Sequence, residues 1–133
     1  MNNREDLTRP DEQTGGPSRR VLPAVSYLMW VYNEEQRVGE VLAHAVQWAD
    51  EVVVMCKPST DRTREICASF GPKVRIVDIA FTPQGHDDFL AAARVPANDW
   101  IWIGTASEVP TRELVRRCLT AIAAQPDLDL VQV

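Results

Sequence analysis

The chain has 133 residues, of which 45% are hydrophobic and 25% are charged, and its formal net charge is −5. This composition is typical of a globular protein and excludes a collagen, a coiled coil and a wholly disordered chain. Because the chain is acidic and has no basic stripe, the sequence argues against nucleic-acid binding and against attachment to an anionic membrane. No run approaches the roughly 18 apolar residues that a membrane span requires.

The start of the chain differs from the rest in polarity and in its lack of hydrophobic periodicity. Residues 1–23 are polar, contain Gly15-Gly16 and show no periodicity, which predicts a disordered tail. The tail has no apolar signal-peptide segment, so we expect a cytoplasmic protein. The cysteines, at positions 56, 67 and 118, are scattered and form no CxxC pair, which argues against a zinc site and a disulfide framework.

From residue 24 onward, short apolar runs alternate with helical patterns. The predicted strands cover 25–31, 51–56, 74–79, 100–103 and 128–133. The predicted helices cover about 38–49, 61–70, 88–94 and 110–124, with Ser59 or Thr60 capping the second and Gly71-Pro72 ending it. This alternation predicts an open parallel sheet with helices on both faces. Ligands of such sheets bind at the carboxyl ends of the strands, so we expect the functional residues in the loops that follow strands.

Polar loops follow the first, second and fourth strands, and each has a structural and a functional interpretation. Tyr32-Asn-Glu-Glu35 either caps the next helix or places a ring and an acid against a ligand's base and ribose. Ser59-Thr-Asp-Arg-Thr63 either caps a helix or presents hydroxyls and a carboxylate. Thr105-Ala-Ser-Glu108 is either a plain polar loop or a metal site with a single carboxylate.

Other reactive or bulky residues carry less information. No Ser-His-Asp or Cys-His arrangement can be built from the sequence, and His86, beside two aspartates, is only a minor candidate for a catalytic base. We expect the four tryptophans, Trp30, Trp48, Trp100 and Trp102, in the core.

Three segments acquire a more specific meaning when they are taken together and in order. The first is Trp30-Val-Tyr-Asn-Glu-Glu35. The second has two parts, Trp48-Ala-Asp-Glu-Val-Val-Val54 and Ser59-Thr-Asp-Arg-Thr63. The third is Asp99-Trp-Ile101, which leads into Thr105-Ala-Ser-Glu108. In this order and spacing they resemble the family-two glycosyltransferases of the GT-A fold. That family has Pro-x-Tyr-Asn-Glu-Glu in the first segment and Asp-Ala-Asp-Glu in the last. The resemblance covers about residues 25–114.

The resemblance implies a three-layer α/β/α, Rossmann-like GT-A sheet, mostly parallel, in a nucleotide-sugar-binding domain over residues 24–133. It implies that an acceptor hydroxyl attacks the anomeric carbon of a nucleotide-sugar donor, and that a nucleoside diphosphate leaves with help from Mg²⁺ or Mn²⁺. It assigns the nucleotide site to residues after three strands: Val31, Tyr32, Glu34, Cys56, Ser59, Asp61, Thr105, Ala106 and Ser107. Glu108 is the one candidate metal ligand of its loop, and no catalytic residue is assigned.

The departures from the family pattern define two hypotheses. Cys56 replaces the aspartate that contacts the base, Pro58 replaces a glycine, and Thr105 and Ser107 replace both aspartates of the metal motif. Neutral hydroxyls are poor ligands for Mg²⁺ or Mn²⁺. The family's acceptor-binding half would follow Val133, so we expect a sheet truncated after about five strands. The chain is therefore either a glycosyltransferase-like enzyme or a degenerate or truncated relative that acts as a nucleotide-binding or interaction module. An unrelated nucleotide-binding protein is disfavoured by the lack of a glycine-rich phosphate loop.

Overall fold

The architecture comes from a computed structural model, which describes residues 22–81, 92–125 and 127. The strands are β1 (Val25–Val31), β2 (Glu51–Cys56), β3 (Val74–Asp78) and β4 (Trp100–Gly104). The α-helices are α1 (Val38–Trp48), α2 (Thr63–Ala68) and α3 (Arg112–Ala124), and a short 3₁₀ helix spans Gly71–Lys73. The predicted strand 128–133, most of the predicted helix 88–94 and residues 1–21 of the predicted tail lie outside the described residues.

The four strands form one sheet in the order β3-β2-β1-β4. Every neighbouring pair is parallel, which confirms the predicted α/β class. The chain steps outward from β1 to β2 and β3, then returns to place β4 on the other side of β1. The strand order therefore reverses between β1 and β4, the position at which open α/β sheets form a ligand crevice.

The two central strands are buried on both faces. All residues of β2 except Glu51, and all of β1 except the half-buried Trp30, are buried. Parallel strands covered on both faces carry continuous apolar runs, which is why these segments lack the alternation of a half-exposed strand. The outer strands β3 and β4 are more exposed, as the mixed burial of Val74–Asp78 and Trp100–Gly104 shows.

One face of the sheet packs against α1 through aromatic side chains. The buried residues of α1 are spaced at helical intervals and include Val38, Leu42 and Trp48. The Trp48 ring meets the rings of Tyr27 at 5.9 Å and Trp102 at 5.1 Å, both edge to face. Trp48 is thus a core residue as predicted, whereas the other three tryptophans are only half-buried.

The opposite face of the sheet packs against the chain segment that precedes β4. Leu28, Val53 and Met55 form a buried cluster with Ala92, and Val95 packs against it. Both faces of the sheet are therefore covered within the described residues.

A polar network closes the amino ends of the strands. The Asp50 carboxylate accepts a hydrogen bond from the Val25 N–H at 2.7 Å. The Glu51 carboxylate accepts from the Ser26 hydroxyl and from the Ala97 N–H, both at 2.8 Å. The acids of the Trp-Ala-Asp-Glu segment therefore act structurally, at the edge away from the predicted ligand site.

The second helix begins differently from the sequence prediction. Neither Ser59 nor Thr60 caps α2; the helix starts at Thr63, and its N-cap residue, Arg62, makes no side-chain capping bond. The predicted caps were wrong because those side chains bond to the loop after β1 instead. The predicted stop is confirmed, since Gly71 follows the helix with φ 77°, a backbone conformation that favours glycine.

The chain divides into two compact units, one of which is Ala24–Val109; the other contains Pro110–Val133. In the latter unit α3 is capped by the Thr111 hydroxyl, which accepts from the Leu114 N–H at 3.1 Å. Its buried residues, Val115, Leu119 and Ile122, lie on one helical stripe. In the part of the chain that the structure describes, no helix is both long and apolar enough to cross a membrane.

Candidate nucleotide-binding edge

The predicted site residues gather at one edge of the sheet. Val31 pairs with Cys56 at the ends of β1 and β2, and Gly104 of β4 pairs with Met29. Because the strands are parallel, the loops that follow them all leave from this same edge. We call it the carboxyl edge and define it by residues 31–35, 56–63, 78–81 and 104–108. Every predicted nucleotide-site residue belongs to it.

Two of the predicted residues form the floor of the carboxyl edge. The side chains of Val31 and Cys56 are each only 2% exposed. Their backbone carbonyls accept hydrogen bonds from Lys57 at 3.0 Å and from Ile79 at 2.9 Å, which continue the ladder beyond the strands. A ligand at this edge would therefore rest above these side chains and would not contact them directly.

The loops after β1 and β2 are hydrogen-bonded to each other along their length. The N–H groups of Asn33 and Glu34 donate to the hydroxyls of Ser59, at 3.1 Å, and Thr63, at 2.8 Å. In return, the Thr60 N–H donates to the Asn33 side-chain oxygen at 2.8 Å. Side chains of one loop thus satisfy backbone groups of the other, which fixes both loops before any ligand arrives. We call residues 33–35 and 59–63 the paired loops.

Asp61 is the anchor of the paired loops. Its carboxylate accepts from the Glu35 N–H at 3.2 Å, and from the N–H and hydroxyl of Thr63. Burial by itself would raise the pKa of the Asp61 carboxyl, but these hydrogen bonds outweigh it and the pKa is lowered. Both carboxylate oxygens are engaged, so Asp61 positions the loops and has little remaining capacity for a ligand.

Asn33 gives the loop after β1 its shape. It is the one non-glycine residue with positive φ in the part of the chain that the structure describes, at 48°. Asparagine tolerates this left-handed conformation better than most residues do. The turn leaves Tyr32 exposed on one side and directs the Asn33 oxygen toward Thr60 on the other.

Two residues of this edge, Lys57 and Phe81, follow strands as expected but were not among the predicted site residues. The Tyr32 and Phe81 rings meet edge to face with centroids 4.8 Å apart, and the Lys57 ammonium lies 5.8 Å from the Phe81 centroid. Both rings are large and exposed, Tyr32 by 44% and Phe81 by 54%. We call Tyr32, Lys57 and Phe81 the aromatic platform. The sequence indicates this surface only through position, because each of the three residues follows one of three neighbouring parallel strands.

The loop after β4 contains hydroxyls where carboxylates were expected. The hydroxyls of Thr105 and Ser107 are 3.1 Å apart and hydrogen-bonded to each other, while Ala106 between them is buried. The one carboxylate of the loop is Glu108, and its charge contributes to the raised pKa of Tyr27. Burial is the larger cause, and together they raise that pKa to about 12.

A divalent metal does not fit the side chains of this loop. Mg²⁺ and Mn²⁺ favour carboxylate oxygens, whereas Thr105 and Ser107 are neutral. Among residues 22–81, 92–125 and 127, no group of three or more His, Cys, Asp and Glu side chains could hold a metal ion. Glu108 is therefore not part of such a group among the described residues.

The cysteine that replaces the family's aspartate is not an ionised group. Burial is the main cause that raises the pKa of the Cys56 thiol, and the Asp78 charge adds to it. The thiol lies 3.5 Å from the Lys57 carbonyl and donates to it. Cys56 thus closes the floor and offers no carboxylate to a base.

The carboxyl edge of an open parallel sheet is where ligands of such folds bind, and here it presents paired loops and exposed rings. A model of Glycosyl transferase family 2 matches residues 26–133. The chain belongs to this family. A comparison with curated proteins found no match.

Solved structures of similar fold include two sugar-phosphoglycerate synthases. Glucosyl-3-phosphoglycerate synthase from Mycobacterium tuberculosis, in complex with Mn²⁺, UDP and phosphoglyceric acid, has a TM-score of 0.53 and 19% identity over 63% of this chain and 33% of its own. Mannosyl-3-phosphoglycerate synthase from Rubrobacter xylanophilus has a TM-score of 0.58 and 20% identity over 81% of this chain and 36% of its own. The chain therefore spans about a third of the length of these structures. At such identities the likeness shows the fold.

Proposed function

We propose that residues 24–109 bind the nucleotide part of a nucleotide sugar at the carboxyl edge, and that the chain by itself transfers no sugar. The observation that carries the proposal is the set of paired loops. They hold Glu34 and Ser59 at the carboxyl edge, next to Tyr32, by hydrogen bonds within the protein. Membership in a glycosyltransferase family and the UDP bound in a structure of similar fold support the same ligand class.

The paired loops support the proposal because their hydrogen bonds set the loop geometry without a ligand. A loop that is already ordered loses little conformational freedom on binding, so more of the contact energy appears as affinity. Glu34 is half-buried at the centre of these loops, where its carboxylate is a candidate acceptor for ribose hydroxyls. The exposed Tyr32 ring is a candidate surface for the base.

Sugar transfer by the chain alone is disfavoured by the loop after β4. A leaving diphosphate gathers negative charge, and stabilising that charge is the usual contribution of a divalent metal. Thr105 and Ser107 supply no carboxylate to hold one, and Glu108 belongs to no cluster of three or more candidate ligands in the part of the chain that the structure describes. We therefore favour the hypothesis of a degenerate or truncated relative that binds a nucleotide without transferring a sugar, and the metal predicted from the resemblance is not part of the proposal. The predicted cytoplasmic location stays a prediction.

Calorimetry with UDP, GDP and their sugar conjugates tests binding. We expect one ligand per chain, and we expect Tyr32→Ala to weaken binding by about tenfold because it removes a stacking ring. Ile103→Ala is the matched control, since Ile103 is a similarly exposed apolar residue at 47% but lies outside the carboxyl edge. Absence of heat with every nucleotide would refute the proposed function.

A separate assay tests turnover. We expect UDP release from UDP-glucose to be no faster with the chain than with heat-inactivated protein, whether or not Mn²⁺ is present. Release that scales with protein concentration would show a catalyst and would support the enzymatic hypothesis instead.

A further inference from the structure

The charges of the carboxyl edge oppose the binding of a bare diphosphate. The described acids along it and in the helix that follows are Glu34, Glu35, Asp61, Glu65, Asp78 and Glu108. The described cations beside them are Arg37, Lys57, Arg62 and Arg64, and the last two are already paired, with Glu65 at 3.1 Å and Asp78 at 2.8 Å. Carboxylates thus outnumber cations among the described residues of this edge, and like charges repel.

Four of these six acids are already engaged within the protein. Besides Glu65, Asp61 accepts three hydrogen bonds, Glu35 accepts from the Arg62 N–H at 3.2 Å, and Asp78 accepts two from the Arg64 guanidinium. A metal at these carboxylates would compete with contacts that hold a loop or a helix in place. Together with the neutral Thr105 and Ser107, they do not match the metal site that the family implies.

The opposite end of the edge has the features of a nucleoside site. The aromatic platform exposes two large rings, and Lys57 brings a cation beside them. Exposed rings of this kind are stacking surfaces for bases, and an ammonium can donate to base carbonyls. Tyr32 and Phe81 are moreover exposed large apolar residues whose rings are in contact, so they form one continuous apolar surface.

We infer that the chain binds its nucleotide through the nucleoside, on the aromatic platform, and that neither the diphosphate nor a divalent metal adds to the affinity. The inference rests on the proposed function and specifies which part of the ligand is recognised. A nucleoside or a nucleoside monophosphate should therefore bind at least as tightly as the nucleoside diphosphate. Phe81 and Lys57 become determinants of specificity beside the predicted Tyr32.

Calorimetry with uridine, UMP and UDP, and with the guanosine series, tests the inference on the whole chain. Each series is measured with Mn²⁺ and with a chelator. We expect the dissociation constants within one series to agree within about threefold, since carboxylates outnumber cations among the described residues of the edge, and we expect Mn²⁺ to leave them unchanged. UDP binding that is about tenfold tighter than uridine binding, or tightened about tenfold by Mn²⁺, would overturn the inference and leave the proposed function standing. Failure of every ligand to bind would overturn both.

Two variants locate the affinity. Phe81→Ala should weaken uridine binding by about tenfold, because a stacking ring is lost, while Ile103→Ala should not change it. Both residues are exposed, so a common unfolding midpoint shows that the fold is retained. A Phe81→Ala chain that binds uridine as the wild type does would refute the platform.

A gain-of-function variant tests the role of the loop after β4. Thr105→Asp combined with Ser107→Asp restores the carboxylates of the family motif on the same backbone. We expect this double variant to acquire UDP binding that Mn²⁺ tightens by about tenfold, with uridine unaffected. If its UDP affinity is the same with and without Mn²⁺, the two hydroxyls are not the reason for metal independence, and the argument from the ligand set is wrong.

Discussion

Gly104 is the position at which the smallest side-chain change should have the largest effect on stability. A Cβ atom at this residue would lie 2.0 Å from the Tyr27 hydroxyl oxygen, 2.2 Å from Cζ and 2.7 Å from Cε1 of the ring. Real Cβ contacts are essentially never below 3.0 Å, so the Tyr27 ring would have to retreat by about the 1 Å difference. Tyr27 is 1% exposed and packs edge to face on Trp48, so there is little space to receive it.

We expect Gly104→Ala to lower the free energy of unfolding by about 1–3 kcal/mol, the range for overpacking a well-filled core. The measurement is urea unfolding followed by tryptophan fluorescence and circular dichroism. Gly39→Ala is the matched control: its Cβ would meet only Ile66 Cγ2, at an ordinary 3.6 Å, inside α1. Replacing a helical glycine by alanine should raise stability by about 0.5–1 kcal/mol, so the two variants should differ in sign.

A double-mutant cycle separates the clash from other causes. Tyr27→Phe should not rescue Gly104→Ala, because two of the three clashing atoms belong to the ring itself. Tyr27→Ala removes the ring, so in that background Gly104→Ala should cost less than about 0.5 kcal/mol. A Gly104→Ala protein within about 0.5 kcal/mol of wild type, or an equal cost in both backgrounds, would refute the reasoning.

Three further predictions follow from single contacts. Hydrogen bonds lower the pKa of Asp61 in the folded state, so its stabilising contribution is present above the unfolded pKa of about 4 and is lost as the pH falls through the folded value. The urea midpoint should therefore decline less between neutral and acidic pH for Asp61→Asn than for the wild type. Parallel declines of the two proteins would contradict this. Burial raises the pKa of Cys67 to about 11, so this thiol should react with a disulfide reagent only after unfolding, and labelling as fast as that of a free thiol in the native protein would count against its placement. Thr111→Ala removes the N-cap hydrogen bond of α3 and should cost about 1 kcal/mol by urea unfolding, with Thr111→Ser retaining most of the stability.

The sequence predicted the sheet well because its signals were local. The apolar runs at 25–31 and 51–56 coincide with β1 and β2, and the Gly71-Pro72 stop coincides with the end of α2 and the start of a 3₁₀ helix. Such features depend on the burial of a few neighbouring residues and on backbone preferences, which the sequence shows directly. The alternation of strands and helices predicted a parallel sheet, but no single segment of the sequence predicts the strand order β3-β2-β1-β4.

The sequence predicted where the candidate site residues lie in the fold, but it did not predict which contacts their side chains make. Asp61 and Ser59 follow β2 as expected, yet their oxygens are bonded to backbone groups about 26 residues earlier in the chain. The meeting of Tyr32 with Phe81 also joins distant parts of the sequence. Contacts of this kind depend on which loops the sheet brings side by side, and periodicity carries no information about that. The absence of aspartates at positions 105 and 107, in contrast, follows from the sequence alone.

The paired loops also define what can be exchanged with a relative by loop grafting. Each loop supplies the acceptors for backbone N–H groups of the other: Ser59, Asp61 and Thr63 in one direction, and Asn33 and Glu35 in the reverse. Transplanting 33–35 or 59–63 alone would leave several amide donors without acceptors in the chimera. A chimera that is to inherit another family member's ligand preference must therefore carry both segments as one cassette, together with the asparagine whose backbone conformation lets them meet.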